Sequence, residues 1–193
     1  MNNQGLTDTN MLAKLFELED AGGKGKGLFA KELIPQGTVV SFECTQCRRI
    51  SEDDFASIPT KEKSFIFKYG YRKAYGSYLL PYDEIIYLNH SCNANILDSG
   101  KGFDIVVRNI AGSEEATYDY RSFPRDSDEI GFECMCSEDN CCRVVKSIDD
   151  HAEAQRSELM KYWKGRVDAA LICIGKIDQQ PLRDKLPIIE SFR

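Results

Sequence analysis

The stretch of sequence that decides the fold is YLNHSCNAN at residues 87–95, a dense polar run between two apolar segments. It brings amide, imidazole and thiol groups together over a few positions. Any one of these residues is explained more simply by a polar turn, in which Asn side chains hydrogen-bond their own backbone. Asn89, His90 and Cys92 together exceed what a turn requires, so we interpret the stretch as the centre of a functional site.

Two further segments lie before and after this stretch, namely GKGLFA at residues 25–30 and SEEATYDY at residues 113–120. In the first, a glycine turn, the missing side chains would let a ligand approach the backbone amides. It is not a dinucleotide-binding fingerprint, because no third glycine opens a helix. The second places Tyr118 and Tyr120 on the same side of a predicted strand. Alone, the first favours a plain turn and the second favours core packing with satisfied hydroxyls.

Eight cysteines occur in the chain, and their spacing distinguishes metal ligands from free thiols. No secretion signal is apparent, which favours thiols or metal ligands over disulfides. Cys134, Cys136 and Cys141 have the spacing C-x-C-x4-C, which suits three of the four ligands of a tetrahedral zinc ion, and Cys142 is then a bystander. Candidates for the fourth ligand are Cys44, Cys47, Cys92 and Cys173. The alternative is a set of free thiols.

Length and charge restrict the class of protein. A chain of 193 residues with 42% hydrophobic content can bury one core, so we expect one domain with appendages. The net charge of -6 argues against direct nucleic-acid binding and favours a basic partner such as a lysine-rich peptide. The sequence has no apolar run long enough to span a bilayer. We therefore expect a monomeric intracellular protein, nuclear or cytoplasmic, that does not bind membranes.

Local patterns predict a mainly β chain that ends in a helix. Strands are predicted at residues 28–30 and 38–42, with hairpins in that region, at 65–71 with one aromatic face, and at 103–110. A short helix is predicted over residues 52–57 with Ser51 as its cap, and a long one over residues 149–175. The long helix carries Trp163 and would cover the site, bind a partner or, most simply, pack against the core.

Taken in order, GKGLFA, NHSC, EEATYDY and the cysteine-rich segment resemble the SET-domain family of protein lysine methyltransferases with a post-SET zinc motif. The resemblance covers about residues 22–146. It implies a mainly β (α+β) fold of small antiparallel sheets in which the Asn89 segment threads a loop as a pseudoknot. It divides the chain into a peripheral segment (1–20), a SET domain (21–124), a post-SET zinc segment (125–147) and a C-terminal helical extension (148–193).

The same resemblance implies two ligand sites. S-adenosylmethionine would be held by backbone around Lys26, Gly27 and Leu28, and by Tyr78, Tyr87, Asn89 and His90, with adenine near the post-SET segment. Cys92 would lie beside the post-SET cysteines, so the implied Zn²⁺ ligands are Cys92, Cys134, Cys136 and Cys141, with Cys44 and Cys47 as bystanders. Removing zinc is then expected to weaken cofactor binding.

The implied reaction is in-line methyl transfer to a lysine amine of a protein substrate, histone or non-histone. Tyr120 would be the catalytic tyrosine, and Tyr118 would occupy the phenylalanine/tyrosine switch position, which predicts mainly monomethylation. Phe42 departs from the channel tyrosine of many active members, which predicts a lower rate or an altered product number. Two alternatives stay open: a SET-fold module or scaffold that binds a lysine-containing peptide without turnover, and a purely structural zinc protein.

Overall fold

The structure is a computed structural model that describes residues 15–42, 47–73, 76–81, 83–124 and 131–179. Most of the predicted peripheral segment, Cys44 and the end of the C-terminal extension lie outside the described residues. In the described ranges, no helix is both long enough and apolar enough to cross a membrane.

The described residues form short strands, three α-helices and several 3-10 turns. The strands are β1 (Phe16–Asp20), β2 (Lys26–Ala30), β3 (Val39–Phe42), β4 (Arg48–Ile50), β5 (Tyr71–Arg72), β6 (Tyr78–Leu80), β7 (Asn89–His90), β8 (Ile96–Asp98), β9 (Phe103–Val106), β10 (Glu115–Tyr118), β11 (Phe132–Glu133) and β12 (Val144–Val145). The helices are α1 (Glu52–Ser57), α2 (Thr60–Tyr69) and α3 (Glu153–Cys173). The prediction of a mainly β fold with a C-terminal helix is confirmed.

The largest sheet brings the three sequence motifs together around β10. Its strands follow the order β1-β2-β10-β8-β9-β3, and β7 also pairs with β10. β10 runs antiparallel to β2, where Ala116 faces Leu28, and parallel to β7, where Tyr118 faces His90. The glycine turn, the polar stretch and the tyrosine segment therefore meet at one strand. Strands β4, β6 and β5 form a second sheet, and β11 pairs with β12.

Helix α3 is part of the core rather than an appendage. Its Val167 and Ala170 are buried, with Ile174 just beyond its end, against Val39, Phe103 and other residues of the main sheet. Gly37 has a φ of 95°, and a Cβ there would lie 2.8 Å from Cys173 Cβ, so the end of the helix requires glycine at this turn. Burying an aliphatic side chain contributes roughly 1.5–3 kcal/mol, so this contact accounts for a large share of a typical domain stability.

Four predictions about local structure are wrong. Residues 65–71 were expected to form a strand, but α2 extends to Tyr69. Lys61, Glu62 and Lys63 favour a helix, and the i,i+4 pair Phe65 and Tyr69 has ring centroids 4.8 Å apart.

The other three errors concern pairing and cysteine chemistry. β2 and β3 do not form a hairpin, because β2 pairs with β1 and β10 while β3 pairs with β9. Phe16 is 1% exposed, so β1 belongs to the core sheet although residues 1–20 were expected to be peripheral. Cys47 is disulfide-bonded, against the expectation of free thiols or metal ligands.

Candidate active site

Asn89 ties the glycine turn to β10. Its side-chain Nδ2 donates to the Lys26 carbonyl oxygen at 3.0 Å and to Glu115 Oε1 at 2.8 Å, and the other carboxylate oxygen of Glu115 pairs with Lys24. A Cβ at Gly27 would lie 2.7 Å from Glu115 Oε1 and 3.1 Å from Asn89 Nδ2. A side chain at this position would therefore disturb the network, which explains why the turn requires glycine at position 27.

His90 links the tyrosine segment to the cysteines. Its Nδ1 accepts a hydrogen bond from the Tyr120 backbone N–H at 3.1 Å, and its Nε2 lies 3.4 Å from Cys92 Sγ. Because Nδ1 is an acceptor, the neutral ring carries its proton on Nε2, which donates to the sulfur. The ring is 6% exposed with both nitrogens bound to protein, so a cofactor contact by His90 would use its backbone.

Asp119, between the two tyrosines, is a buried carboxylate with several donors. Arg121 donates from Nε to Oδ1 at 2.8 Å and from NH2 to Oδ2 at 2.6 Å, and Trp163 Nε1 donates to Oδ2 at 2.8 Å. Burial alone would lower the pKa of the Arg121 guanidinium, but the hydrogen bonds and charge of Asp119 raise it. Arg121 is therefore a permanent cation at this point.

Tyr120 starts a 3-10 turn immediately after β10. Its hydroxyl donates to the Leu88 carbonyl oxygen, which fixes the direction of the hydroxyl proton. The ring lies 6.0 Å from the Phe123 ring and 6.2 Å from the Phe132 ring, centroid to centroid. Tyr120 thus borders an aromatic cluster on one side and the His90 contact on the other.

Tyr118 ends β10 and has a different hydroxyl partner. Its hydroxyl donates to Asp104 Oδ1 at 3.3 Å, while Asp104 Oδ2 accepts from the Ser41 hydroxyl. Its ring stacks on Phe123 with centroids 5.1 Å apart, and Phe123 stacks on Tyr71 at 4.9 Å. The sequence placed both tyrosines on the same side of a strand, but the strand ends between them and their hydroxyls reach different partners.

The pKa of the Asp104 carboxyl is raised to about 6, chiefly by burial, although the Ser41 hydrogen bond lowers it. Burial and the nearby charge of Asp104 raise the pKa of the Tyr118 phenol well above its usual value. Tyr118 is therefore a neutral donor at physiological pH, and Asp104 is the acceptor.

The cysteines form a compact cluster with the composition that the resemblance implies. The sulfur atoms of Cys92, Cys134, Cys136 and Cys141 all lie within 4.8 Å of one another, and those of Cys92 and Cys134 are 3.8 Å apart. Zn–S bonds of about 2.3 Å in a tetrahedron place sulfur atoms about 3.8 Å apart, so this donor set fits zinc. Zinc binding itself stays a prediction.

A second candidate ligand group shares two of these cysteines. His90, Cys92, Cys134 and Cys142 are also within 4.8 Å of one another. We favour the four-cysteine set, because the Tyr120 N–H occupies His90 Nδ1 and leaves the proton on Nε2, where a metal would have to bind.

Cys142 is nevertheless not a bystander. Its backbone N–H donates to Cys92 Sγ at 3.3 Å, and its own sulfur lies 3.4 Å from that of Cys92. Burial raises the pKa of the Cys92 thiol to about 12 in the absence of metal. Metal binding must therefore displace protons, and a donor such as the Cys142 N–H stabilises the resulting thiolate charge.

The segment that carries the cysteines reaches back to the glycine turn. A Cβ at Gly23 would lie 2.5 Å from Met135 Cε, and the Phe132 ring lies 6.4 Å from the His90 ring. Phe132 and Met135 are 40% and 53% exposed. Two exposed apolar side chains of the cysteine segment thus lie beside Gly23 and beside the His90 ring.

Other predicted site residues lie further from this arrangement. The Tyr78 ring stacks on Phe55 with centroids 4.3 Å apart, in a satellite core with Ile50 and Ile66, so the structure does not bring it to the Asn89 network. Leu28 is fully buried and would offer a ligand its backbone alone. Tyr87 is half-buried beside the second core cluster. The assigned cofactor contacts of these residues stay predictions.

Phe42 packs against Phe103, with ring centroids 6.0 Å apart, at the border of the core that contacts α3. This packing accounts for an apolar ring at position 42. Its predicted effect on rate or product number stays a prediction.

Sequence reasoning missed Asp104, Asp119 and Phe123, and for the helix that carries Trp163 it left covering the site as one of three alternatives. Asp119 had a signal, since it lies between two tyrosines that were already candidates, and Trp163 is the single tryptophan of the chain. Asp104 had none, because it reaches Tyr118 only through the pairing of β8, β9 and β10.

Comparison with known proteins finds one matching family and similar solved structures. The family model for the SET domain matches residues 25–121. Among solved structures, the chain is similar to the methyltransferase domain of human histone-lysine N-methyltransferase SETMAR, with 18% identity, a TM-score of 0.49, and coverage of 68% of this chain and 58% of that chain. It is also similar to KRYPTONITE in complex with mCHG DNA and SAH, with 21% identity, a TM-score of 0.48, and coverage of 68% and 29%.

The chain therefore spans less than two thirds of either solved structure. The family assignment rests on the sequence match, which covers half of the chain and contains the glycine turn, Asn89, His90 and both tyrosines. On that match, this chain belongs to the SET-domain family.

Proposed function

We propose that the protein is an S-adenosylmethionine-dependent lysine methyltransferase that modifies a protein substrate. One observation carries the proposal: at one end of β10, inside the SET-family segment, the same polar stretch holds the turn at Gly27 and the backbone of Tyr120. Asn89 braces the turn and His90 braces the tyrosine backbone. A purely structural zinc protein would need neither contact.

The cofactor would lie against the Gly27 turn. Lys26, Gly27 and Asn89 would hold it through backbone groups and the Asn89 amide, and the exposed rim at Phe132 and Met135 suits a flat apolar group such as adenine. S-adenosylmethionine, when bound, supplies a methyl group on a positively charged sulfur. The role of the protein is to orient this group and exclude water from it.

The aromatic cluster of Tyr71, Tyr118, Tyr120 and Phe123 would receive the lysine side chain. An amine must be neutral to attack, and desolvation between aromatic rings lowers its pKa. The Leu88 carbonyl accepts the Tyr120 hydroxyl proton and so fixes the hydroxyl, whose oxygen would attract the polarised methyl hydrogens. Tyr120 thus acts by orientation and electrostatics rather than as a titrating base.

Monomethylation is the product we propose. The Tyr118 hydroxyl is held by Asp104, so it occupies a fixed position at the edge of the cluster. A fixed hydroxyl restricts the space and the rotation of an amine that already carries a methyl group. Phe42, an apolar ring where a tyrosine is more usual, gives no compensating donor and would favour a slower enzyme.

Zinc would be held by Cys92, Cys134, Cys136 and Cys141 and would order the segment around Phe132 and Met135. Because His90 contacts both Cys92 and the Tyr120 backbone, loss of the metal would disturb the cofactor rim and the tyrosine turn. We therefore expect zinc removal to weaken cofactor binding.

The substrate would be a lysine-rich protein segment, because the net charge of -6 attracts cationic partners. Histone and non-histone proteins both fit that description. We further propose that the protein acts as a monomer, in the nucleus or cytoplasm, without direct contact to nucleic acid or membranes.

Two measurements test the proposal. Calorimetry is expected to show S-adenosylmethionine binding to the wild type and weaker binding to Gly27→Ala, whose side chain would meet Glu115 Oε1. Radiolabelled methyl transfer to basic proteins is expected for the wild type and not for Tyr120→Phe. Cofactor binding without transfer to any basic protein would favour the alternative of a SET-fold binding module, and the absence of both would overturn the proposal.

A further inference from the structure

The geometry points to Trp163, on the C-terminal helix α3, as a positioning residue for Tyr120: its indole N–H holds the Asp119 carboxylate and thereby the turn from which Tyr120 projects. This inference rests on the proposed function, in which Tyr120 acts on the transferring methyl group. Trp163 lies outside residues 25–121, the segment that matches the SET family. The helical extension would therefore complete the site of the domain that precedes it.

Asp119 is shielded from water. The residue is 1% exposed, so water cannot easily replace a donor that is lost. Asp119 Oδ2 accepts from only two donors among the described residues, Arg121 NH2 and Trp163 Nε1. A buried carboxylate that loses one of two donors on an oxygen shifts toward the remaining one, here Arg121.

Asp119 is coupled to Tyr120 through the turn that both residues share. Asp119 precedes Tyr120 and caps its turn, because Oδ1 accepts from the Arg121 N–H at 3.2 Å and the Asp119 carbonyl accepts from the Ser122 N–H at 3.0 Å. Any displacement of the carboxylate is therefore transmitted to the Tyr120 backbone, whose N–H must also stay on His90 Nδ1.

Helix α3 holds Trp163 in a fixed position. Trp163 is half-buried against the core cluster, and Val167 and Ala170 follow it on the buried face of the same helix. The Tyr162 hydroxyl, from the residue that precedes Trp163, contacts Asn93 Oδ1 at 3.4 Å. The indole is thus presented by a helix that is itself fixed to the sheet, which is what a positioning contact requires.

The test compares Trp163→Phe, which keeps an aromatic ring and removes the donor, with Val167→Ala, which loosens the same helix and leaves the donor. In methyl transfer, we expect kcat to fall about 10-fold in Trp163→Phe with little change in KM, the scale of one lost hydrogen bond to a charged group. Val167→Ala is expected to lower the melting temperature without this fall. Asp119→Asn combined with Trp163→Phe is expected to be no slower than Asp119→Asn alone.

A second readout does not depend on activity. Hydrogen exchange measured by mass spectrometry is expected to speed up at the Tyr120 and Arg121 amides in Trp163→Phe and to stay at the wild-type rate in Val167→Ala. Equal exchange in the two variants, or equal kcat, would overturn the inference. If the wild type transfers no methyl group, the proposed function fails, and hydrogen exchange alone tests the role of Trp163. Faster exchange in Trp163→Phe than in Val167→Ala would then still show that Trp163 supports this turn.

Discussion

Tyr118 and Tyr120 are two residues apart, yet their hydroxyl groups donate to acceptors of different kinds. The Tyr118 hydroxyl donates to Asp104, a titratable side chain that is anchored by Ser41. The Tyr120 hydroxyl donates to the Leu88 carbonyl, which cannot titrate, while its backbone is braced by His90 next to the cysteine cluster. The contrast supports the different roles that we propose, namely constant orientation of a reacting group by Tyr120 and control of the space around it by Tyr118.

The largest effect is expected on the Tyr120 side. Tyr120→Phe removes the hydroxyl and keeps the ring, so the fold should persist while the proposed contact of the hydroxyl with the methyl group is lost. We expect kcat to fall about 100-fold or more, the range for removal of one transition-state contact. Single-turnover methyl transfer measures it. A loss below about threefold, with an unchanged melting temperature, would remove Tyr120 from the catalytic role.

The cysteine cluster gives the next effect and a matched control. Cys141→Ser removes a ligand of the favoured zinc set, and Cys142→Ser removes a ligand of the set that contains His90. Loss of a partner outside the ligand set already costs about 10–100-fold in metal affinity, so we expect Cys141→Ser to lower zinc affinity by more than about 100-fold and Cys142→Ser to change it much less. Metal content after dialysis against a chelator measures both. The reverse order would assign the metal to the His90 set.

Zinc removal from the wild type extends the same comparison to the cofactor. Because His90 joins Cys92 to the Tyr120 backbone, we expect chelation to weaken S-adenosylmethionine binding in calorimetry. Unchanged cofactor affinity in the metal-free protein would show that the metal supports stability alone.

The Tyr118 side is expected to respond to pH. The pKa of Asp104 is about 6 in the folded protein, above its ordinary value of 3.8, so the stability it contributes is present below about pH 4 and lost as pH rises through about 6. Asp104→Asn keeps an acceptor for Tyr118 and removes the titration. As pH rises from 4 to 7, we expect the free energy of unfolding of the variant to increase by ~1–3 kcal/mol relative to that of the wild type. Parallel pH curves from denaturant unfolding would contradict this.

The smallest effect is expected from Tyr118→Phe, on the number of methyl groups added to the lysine. Tyr118→Phe removes the hydroxyl that Asp104 holds, which enlarges the space beside the amine. We expect more dimethyllysine and trimethyllysine at a rate within a few-fold of the wild type, measured by mass spectrometry of a peptide substrate. Trimethyllysine as the main product of the wild type would refute the monomethylation proposal.

The two sides also differ in how far the sequence reveals them. Gly27, Asn89, His90 and Tyr120 belong to ordered local motifs, and the structure brings them together. Ligand spacing indicates three of the four clustered cysteines, and the family resemblance implies Cys92 as the fourth. Asp104 and Trp163 lie outside the motifs, on β9 and α3, and only tertiary packing brings Asp104 to Tyr118 and Trp163 to Asp119. No local pattern could have placed them.

The prediction of local structure was wrong at α2, where a strand periodicity and a helix periodicity are both present. The aromatic residues of α2 repeat at i,i+2, which mimics a strand, and also at i,i+4 through Phe65 and Tyr69, which fits the observed helix. Phe65 and Phe67 are 49% and 50% exposed, so burial does not enforce the strand pattern. The helix formers before them decide the outcome.

The most direct test of the central claim is mass spectrometry of a lysine-rich protein after incubation with the wild type and S-adenosylmethionine that carries a trideuterated methyl group. The account predicts a single labelled methyl group on lysine for the wild type and none above background for Tyr120→Phe. A labelled product on a residue other than lysine, or equal labelling by the two proteins, would contradict it.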